Sequence, residues 1–331
     1  MVSKDAFKED PLRLIRAFSL RAQLAFEIDR RTLAQIKKDK SLIKKVSGER
    51  IRDELFKILA CENTAENFKI MDKIGLLKEI IPQIAVMYDV VQGGYHHLDV
   101  WNHSLETVAQ LEKVFAQTQS DADISAYLKE IFGADRSRFA LMKLAALLHD
   151  IGKPKTRKKE KGKTSFHGHE RVGKGMVKNI SLLLKLSTKE RYILEDMTLF
   201  HLRPGYLSDF KYPSRKAIFR YFRDAKEEAV GILLLSLADQ RATRGPLTTE
   251  ADQRHHERII RDLIKQYFER AKAQPMKRLI DGNDLIRRLK LKPAPIFSKI
   301  LREIEEKQAT GLIRTKVQAL KLAREIAGRN P

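Results

Sequence analysis

The sequence contains a single cysteine, Cys61, among 331 residues. A disulfide framework is therefore excluded, and a zinc site built from thiolates is not expected. The longest apolar runs, such as the one at 228–238, are much shorter than a membrane-spanning helix. The N-terminus lacks a signal-peptide pattern because charged residues, among them Lys4, Asp5 and Lys8, interrupt it. These absences predict a cytoplasmic protein that has no membrane partner.

Glycine and proline are also scarce, with 16 and 10 residues respectively. Apolar residues recur every three or four positions, as at Leu105, Val108 and Leu111, and no alternating pattern is long enough to found a sheet. The fold class is therefore predicted to be all-α. The expected helices fall at 10–26, 30–39, 48–60, 64–80, 101–118, 136–150, 169–184, 187–200, 213–223, 226–242, 249–273, 296–307 and 314–327.

Composition divides the chain into three predicted regions. Residues 1–90 form a basic helical array that ends near Pro82, and residues 249–331 form a second one after Gly245-Pro246. Between them, residues 91–248 hold seven of the nine histidines. We therefore expect a central helical bundle between two basic, helical flanks.

Positive charge is in clear excess. Lysine and arginine number 65 against 43 aspartates and glutamates, which gives a formal net charge of +22. Such an excess attracts polyanions, and contacts to phosphates gain further from the release of counterions. The charge therefore favours RNA or DNA as a partner, without distinguishing between the two.

One segment, residues 143–154, carries the sharpest local pattern. An apolar helix runs into adjacent His149 and Asp150, and Gly152 and Pro154 then end it. Burying two such polar side chains is costly unless they have partners. A divalent metal would satisfy both side chains, and so would a hydrogen-bonded His–Asp pair at the helix end. Taken alone, the segment is compatible with either arrangement.

Two further residues extend this pattern. His103 lies near the start of an amphipathic helix, and Asp239 ends the almost wholly apolar run 232–239, where a lone carboxylate is difficult to bury. Each has an ordinary alternative. His103 would then be a surface or capping residue, and Asp239 a helix-end charge that pairs with Arg241 or Arg244. Together with the His–Asp pair, the two residues favour a metal site.

The order His103, His149-Asp150, Asp239 resembles that of the HD superfamily of metal-dependent phosphohydrolases, and residues 148–153 match its central motif residue for residue. The resemblance implies that these four residues coordinate a divalent metal. Nitrogen and oxygen ligands without sulfur suit Mn, Ni, Co, Fe or Mg better than a closed zinc site.

His169 and His201 lie in segments that resemble the next two histidine-bearing elements of that superfamily. They would either bind a second metal ion or contact substrate phosphate, which leaves one or two ions open. Arg203 is a further candidate for a phosphate contact, whereas His167 is a less favoured ligand. The remaining histidines are interpreted as exposed or packing residues: His96, His97, His255 and His256.

The resemblance implies hydrolysis of phosphate esters, with 2′,3′-cyclic or 2′-phosphates of RNA or nucleotides as substrates. A metal would lower the pKa of a bound water and offset charge on phosphoryl oxygens. Asp150 is assigned a catalytic role with Lys153, which lies just past the helix end, where it could neutralise a phosphate oxygen or merely complement the helix dipole. The basic run 153–163 would either help to hold substrate phosphates or form a solvated loop.

The N-terminal flank resembles the neck of bacterial class II tRNA nucleotidyltransferases and poly(A) polymerases. The pair Asp10 and Arg13 matches that family's nucleotide-reading motif, and Glu49, Arg50 and Glu54 match its neck-stabilising motif. The resemblance implies that the first two residues select the base of an incoming nucleotide and that the other three stabilise the neck. Ordinary ion pairs would explain both motifs equally simply.

Residues 279–286 and 291–296 resemble the tail of the same family, although Ala294 stands where glycine is usual. The family's catalytic head precedes the neck, and only eight residues precede Glu9, so we expect this sequence not to add nucleotides by itself. Asp121 and Asp123 are spaced like the aspartates of that head but lie in a polar loop.

Two functions follow: a phosphohydrolase on an RNA-binding scaffold, or the RNA-binding part of a CCA-adding or poly(A)-adding enzyme of tRNA processing. RNA, tRNA in particular, or a nucleotide is the expected partner.

Overall fold

The computed structural model describes residues 5–160, 163–274 and 276–328. The predicted all-α fold class is confirmed, since helices predominate and the described strands form only a two-stranded hairpin. Within those ranges, no helix is long and apolar enough to cross a membrane. The first helices are α1 (Ala6–Glu9), α2 (Arg13–Leu24), α3 (Arg30–Asp39), α4 (Gly48–Leu59), α5 (Thr64–Lys73) and α6 (Leu76–Ile80), with 3₁₀ segments at Lys40–Lys45 and Pro82–Met87.

The central part of the chain contains the longest buried helices and the hairpin. Its elements are α7 (Val100–Thr118), α8 (Ala122–Leu128), α9 (Arg138–Leu148), α10 (Lys153–Thr156), β1 (Lys158–Glu160), β2 (Lys163–Ser165), α11 (His169–Leu183), α12 (Thr188–Phe200), α13 (Arg203–Ser208), α14 (Arg215–Ala225), a 3₁₀ segment at Lys226–Glu228, α15 (Ala229–Ala242) and α16 (Glu250–Lys272). The C-terminal part contains α17 (Gly282–Leu289), α18 (Ile296–Ala309) and α19 (Lys316–Gly328).

Some boundaries differ from those predicted. The helix expected at 64–80 is broken because Gly75 adopts a φ of 77°, a left-handed conformation that ends a helix readily. The run 153–163, expected as a loop, contributes to the antiparallel β1–β2 hairpin, in which Lys159 is paired with Thr164. Lys161 of that run lies outside the described residues.

One hydrophobic core joins the N-terminal and central helices. α4 packs against α2 and α9, with Phe18 and Leu55 fully buried. α15 packs between α7 and α16, and its residues Ala229–Ala238 are buried, which explains why this run has no polar face. The same packing holds the ends of α7, α9 and α15 next to one another.

The last three helices form a separate core around Leu285. This C-terminal core meets α14 through charged side chains. Arg220 Nε lies 2.6 Å from Glu306 Oε2, and Arg302 Nη2 lies 3.2 Å from Asp224 Oδ1. α16, although predicted to belong to the C-terminal region, packs in the larger core. The predicted divisions near residues 90 and 248 stay a prediction.

Candidate metal centre

The polar ends of five helices converge beside the larger core. α7 contributes a residue of its first turn, and α9 contributes the two residues that follow its last turn. α11 contributes its first residue, α12 the residue after its end, and α15 a residue of its last turn. Because all five helices are packed into the core, their polar ends are held together. The six side chains are His103, His149, Asp150, His169, His201 and Asp239.

The four residues predicted as one ligand set form the first group. Asp239 Oδ1 lies 2.9 Å from His103 Nε2 and 3.7 Å from His149 Nε2. Asp150 Oδ2 lies 3.2 Å from His149 Nε2 and 3.8 Å from His103 Nε2. The tertiary structure therefore brings two imidazoles and two carboxylates from three separate helices within reach of one cation.

A second group shares Asp150 with the first. Asp150 Oδ1 lies 3.2 Å from His169 Nε2 and 3.6 Å from His201 Nε2. The two imidazole nitrogens are themselves 3.2 Å apart. Since Asp150 faces the first group with Oδ2 and the second with Oδ1, the arrangement is compatible with one ion or with two ions bridged by this carboxylate.

Three histidines are oriented by backbone carbonyls. The Nδ1 atoms of His149, His169 and His201 lie 2.8, 2.8 and 2.7 Å from the carbonyl oxygens three residues earlier in the chain. An Nδ1–H that donates to a carbonyl leaves Nε2 as the lone-pair donor, which is the usual arrangement of metal-binding histidines. All three Nε2 atoms are therefore prepared to act as ligands.

The donor set is not satisfied by the protein alone. His149 Nε2 and Asp150 Oδ1 are buried and lack a well-oriented hydrogen bond, and Asp150 Oδ2 has the ion pair with Lys153 but no well-oriented hydrogen bond. Leaving such groups unpaired costs roughly 1–3 kcal/mol each, and more for charged groups. A divalent cation would meet all three atoms, and a set of nitrogen and oxygen donors without sulfur matches such an ion. The residues present therefore fit a divalent metal.

The electrostatics of the group favour a bound positive charge. Burial lowers the pKa of His149, but Asp150 and Asp239 outweigh that effect and raise it to about 10. Burial raises the pKa of Asp150, but His149 and Lys153 outweigh it and hold the pKa well below its usual range. Burial also raises the pKa of Asp239, but His103 and His149 outweigh it and hold the pKa well below its usual range. Both carboxylates are thus ionised at neutral pH, and a cation would compete with the proton on His149.

A cavity of roughly 720 Å³ opens onto this cluster, with Asp150, His201 and Asp239 in its wall. Its size lies in the range of small-ligand sites. Lys153 also lines the cavity, and its Nζ lies 2.6 Å from Asp150 Oδ2 and 2.7 Å from Gln92 Oε1. The predicted catalytic lysine therefore lies next to the predicted catalytic carboxylate.

Three histidines that the sequence did not single out also line the cavity. The ring of His96 lies edge-on to that of His103, with 4.7 Å between centroids. Burial, together with Lys153 and His103, lowers the pKa of His96 to about 3, so it is neutral. His255 and His256, from α16, are the other two. The spacing of His96, His255 and His256 along the chain does not relate them to the segment 143–154 that carries the His149–Asp150 pair.

Arg203 is not part of the cavity wall. Its two terminal nitrogens each lie 3.1 Å from Asp224 Oδ2, and its guanidinium is stacked 5.3 Å from the ring of Phe200. Asp224 also pairs with Arg302 of α18. The structure thus places Arg203 in a link between α13, α14 and the C-terminal helices.

The neck motifs lie far from the metal centre along the chain and have other partners. Asp10 precedes α2 and lies 3.4 Å from Arg50, whereas Arg13 pairs with Glu9 at 3.3 Å. Asp10 and Arg13 are therefore not paired one turn apart in a single helix.

Glu54 is buried within the neck. It accepts a hydrogen bond from Ser19 and pairs with Arg16 at 3.2 Å and with Lys57 at 3.0 Å. Burial raises the pKa of Glu54, but these contacts outweigh it and leave the pKa below its usual value. Glu49 lies in the exposed first turn of α4. Of the three motif residues, Glu54 is thus the one that joins α2 to α4.

Two family profiles match the chain. Residues 25–87 match the profile described as probable RNA and SrmB-binding site of polymerase A, and residues 100–244 match the HD domain. An A-adding tRNA nucleotidyltransferase from Deinococcus radiodurans is 30% identical over 339 residues, covering 100% of this chain and 71% of the relative. A CC-adding tRNA nucleotidyltransferase from Thermus thermophilus is 27% identical, covering 96% of this chain and 67% of the relative.

Solved structures show the same fold. A CCA-adding enzyme with CTP superposes with a TM-score of 0.56 at 15% identity, covering all of this chain and 63% of that one. The Thermotoga maritima CCA-adding enzyme complexed with tRNA gives a TM-score of 0.53 at 15% identity, covering 100% and 64%. The chain thus spans about two thirds of the length of the proteins it matches.

Proposed function

The chain belongs to the tRNA nucleotidyltransferase family, and from this premise we propose that its HD domain is a metal-dependent phosphohydrolase. The substrates are 2′,3′-cyclic or 2′-phosphates of nucleotides or RNA ends. The observation that carries the proposal is the pair of donor groups that share Asp150 beside the cavity. A cluster that served only to hold the helices together would not need to face such an opening.

Each residue has a distinct part in the proposed reaction. His103, His149, Asp150 and Asp239 would hold one cation, and His169 and His201 would either hold a second or contact substrate phosphate. A bound divalent cation supplies Lewis acidity and activates water for attack on phosphorus. Asp150 keeps the imidazole nitrogens of both groups turned towards the centre, because its two oxygens face different histidines.

Lys153 is proposed to act on the substrate. Its ammonium group is held between Asp150 and Gln92 at the cavity wall. A phosphate that approaches the carboxylate there would meet repulsion, and the positive charge of Lys153 offsets it. The lysine would therefore lower the barrier most when charge builds on the phosphoryl oxygens.

RNA is the proposed partner of the whole chain. The net charge of +22 supplies the electrostatic attraction, and the RNA-binding profile covers much of the N-terminal helices. Exposed lysines of the β1–β2 hairpin come shortly after Lys153 in the chain, beyond the end of α10. By analogy with the relatives' names, we propose tRNA as the RNA.

The second candidate function is RNA binding in tRNA processing as the neck, HD and tail part of a nucleotide-adding enzyme. The match of relatives along the whole chain favours it. In that case Asp10 and Arg13 would read the incoming nucleotide, a role that stays a prediction. The 331 residues contain no counterpart of the head, so this function would require a head supplied with them. The two functions are compatible.

The test is an activity panel on the purified chain after chelation, with Mn, Ni, Co, Fe or Mg added separately. The substrates are 2′,3′-cyclic AMP, 2′-AMP and a tRNA with a 2′,3′-cyclic end, and CTP and ATP incorporation is measured in parallel. We expect metal-dependent hydrolysis that is lost in Asp150→Ala. The matched control is Glu190→Gln, a buried carboxyl paired with Arg136 away from the cavity.

The outcomes separate the two candidates. Full activity in Asp150→Ala, or no hydrolysis with any metal, would remove the phosphohydrolase. If hydrolysis is absent while the chain still binds tRNA with an affinity that falls steeply with salt, the RNA-binding function remains. For Lys153→Ala we expect a lower kcat with unchanged metal content.

A further inference from the structure

The mouth of the cavity carries large apolar side chains that remain open to solvent. Tyr95 is 60% exposed, Phe210 is 65% exposed and Leu247 is 58% exposed, and all three line the cavity. Exposed apolar residues are normal when they occur singly, but a group of them at one opening is typical of a binding site. The mechanism proposed above uses none of the three.

The backbone of Tyr95 is tied by hydrogen bonds to the segment that precedes α16. Its carbonyl oxygen accepts hydrogen bonds from Gly245 N at 2.7 Å and from Thr248 Oγ1 at 3.2 Å, and Leu247 N donates to Gly94 O at 3.2 Å. A Cβ at position 245 would overlap the backbone of Tyr95, so only glycine allows this approach. The ring is thus exposed although its backbone is fixed, and little entropy would be lost when a ligand binds to it.

Phe210 lies on a second wall that is fixed by the histidines of α16. Its carbonyl oxygen lies 2.9 Å from His255 Nε2. His256 bridges Ser208 Oγ at 2.8 Å and Ser236 Oγ at 3.1 Å, which ties this wall to α15 as well. The backbones that carry both exposed rings are therefore held in place, and holding the Phe210 wall is the role we assign to the two α16 histidines.

The cavity combines three kinds of lining residue. Tyr95, Phe210 and Leu247 are exposed, Lys211 and Lys153 offer positive charge beside the acidic Asp209 and Asp252, and most of the His–Asp cluster is buried. A ligand complementary to the aromatic rings, the lysines and the His–Asp cluster has a flat apolar group joined to a phosphate. Nucleotides have this composition, and stacking on aromatic side chains together with cations at the phosphate is how proteins hold unpaired bases.

We propose that Tyr95 and Phe210 bind the unpaired base of the substrate, so that the site takes a nucleotide or an unpaired RNA end and discriminates against phosphate esters without a base. The inference rests on the proposed phosphohydrolase function and names its substrate class. Lys211 contacts the phosphate or sugar on the same side. Because stacking does not read the Watson–Crick edge, these contacts tolerate any base.

The test compares two substrates that differ in the base. Tyr95→Ala and Phe210→Ala are assayed with 2′-AMP and with 2-glycerophosphate. Stacking of one base on one ring is lost in each variant, so KM for 2′-AMP should rise about tenfold. kcat/KM for 2-glycerophosphate should be unchanged. Tyr95→Phe should keep the wild-type KM, and Tyr206→Ala, an equally exposed tyrosine outside the cavity lining, is the matched control.

A binding measurement separates this inference from the proposed function. Calorimetry with 2′-AMP in EDTA needs no hydrolysis and no metal. If the wild type hydrolyses neither substrate but binds 2′-AMP about tenfold more tightly than Tyr95→Ala does, the base site stands and the hydrolase fails. If Tyr95→Ala and Phe210→Ala bind and hydrolyse 2′-AMP like the wild type, or lose both substrates equally, the base site is overturned.

Discussion

Divalent cations should stabilise the folded chain by an amount that reports how many ions it binds. A ligand present at 100 times its Kd stabilises the folded state by about 2.7 kcal/mol. In a domain of about 150–250 residues, 1 kcal/mol shifts Tm by roughly 2–4 °C. One ion should therefore raise Tm by about 5–10 °C, and two independent ions by about 10–20 °C.

The two donor groups can be removed separately, because they share only Asp150. His103→Ala removes a ligand of the first group, and His169→Ala removes a ligand of the second. Asp150→Asn alters both with almost no change in shape. If two ions bind, each histidine variant should keep about half of the shift and Asp150→Asn should keep none. If one ion binds at the first group, only His103→Ala and Asp150→Asn should lose it.

The assay is thermal unfolding of each variant in EDTA and with Mn or Ni in excess over Kd. Glu190→Gln serves as control, because it alters a buried carboxyl that is paired with Arg136 and does not line the cavity. If Asp150→Asn kept the full metal-dependent rise of Tm, the reasoning would be refuted. The cations would then bind without the carboxylate that joins the two donor groups.

Three further predictions concern stability and the site. Glu54→Ala should destabilise the chain by about 1–3 kcal/mol, because buried Ser19 loses its acceptor while the half-exposed Arg16 and Lys57 can be solvated; urea unfolding measures this, and an unchanged free energy of unfolding would contradict it. Gly245→Ala should displace the Tyr95 loop, costing about 1–3 kcal/mol and raising KM for 2′-AMP. Burial, opposed by Arg138, raises the pKa of Glu228 to about 7 from 4.5. The pKa of Glu228 is thus higher in the folded chain than in the unfolded chain. The stability that protonated Glu228 contributes is therefore complete below pH 4.5 and is lost as the pH rises through 7. The free energy of unfolding of the wild type, measured with urea, should therefore fall by up to about 3 kcal/mol more between pH 5 and pH 8 than that of Glu228→Gln. Parallel pH profiles would count against a raised pKa.

The sequence was informative where physical chemistry left few choices. Periodic apolar residues and scarce glycine and proline predicted an all-α fold, because only a helix places residues three and four apart on one buried face. Adjacent His149 and Asp150 at the end of an apolar helix needed partners, which a divalent metal would supply. The same reasoning applied to Asp239, which lies in the last turn of a helix that is buried along most of its length.

Charged residues with many available partners were less predictable. Arg203 was a candidate for a phosphate contact but pairs with Asp224, and Asp10 pairs with Arg50 rather than with Arg13. A long cationic side chain can reach several carboxylates at similar energy, so packing of the helices selects among them. Spacing along one helix does not determine that choice.

By itself, then, the amino-acid order determined the helical class, the basic character and the side chains that make up the candidate metal centre, because each follows from local periodicity or from the chemistry of single residues. Only the tertiary structure decided that Asp150 joins two groups of histidines and that Tyr95 and His96 line the same opening. The first feature depends on helix ends that converge, and the second on loops that meet across the fold, as Tyr95 and Gly245 do. A contact between such distant segments is stabilised by the packing of the whole core, which no short stretch of sequence encodes.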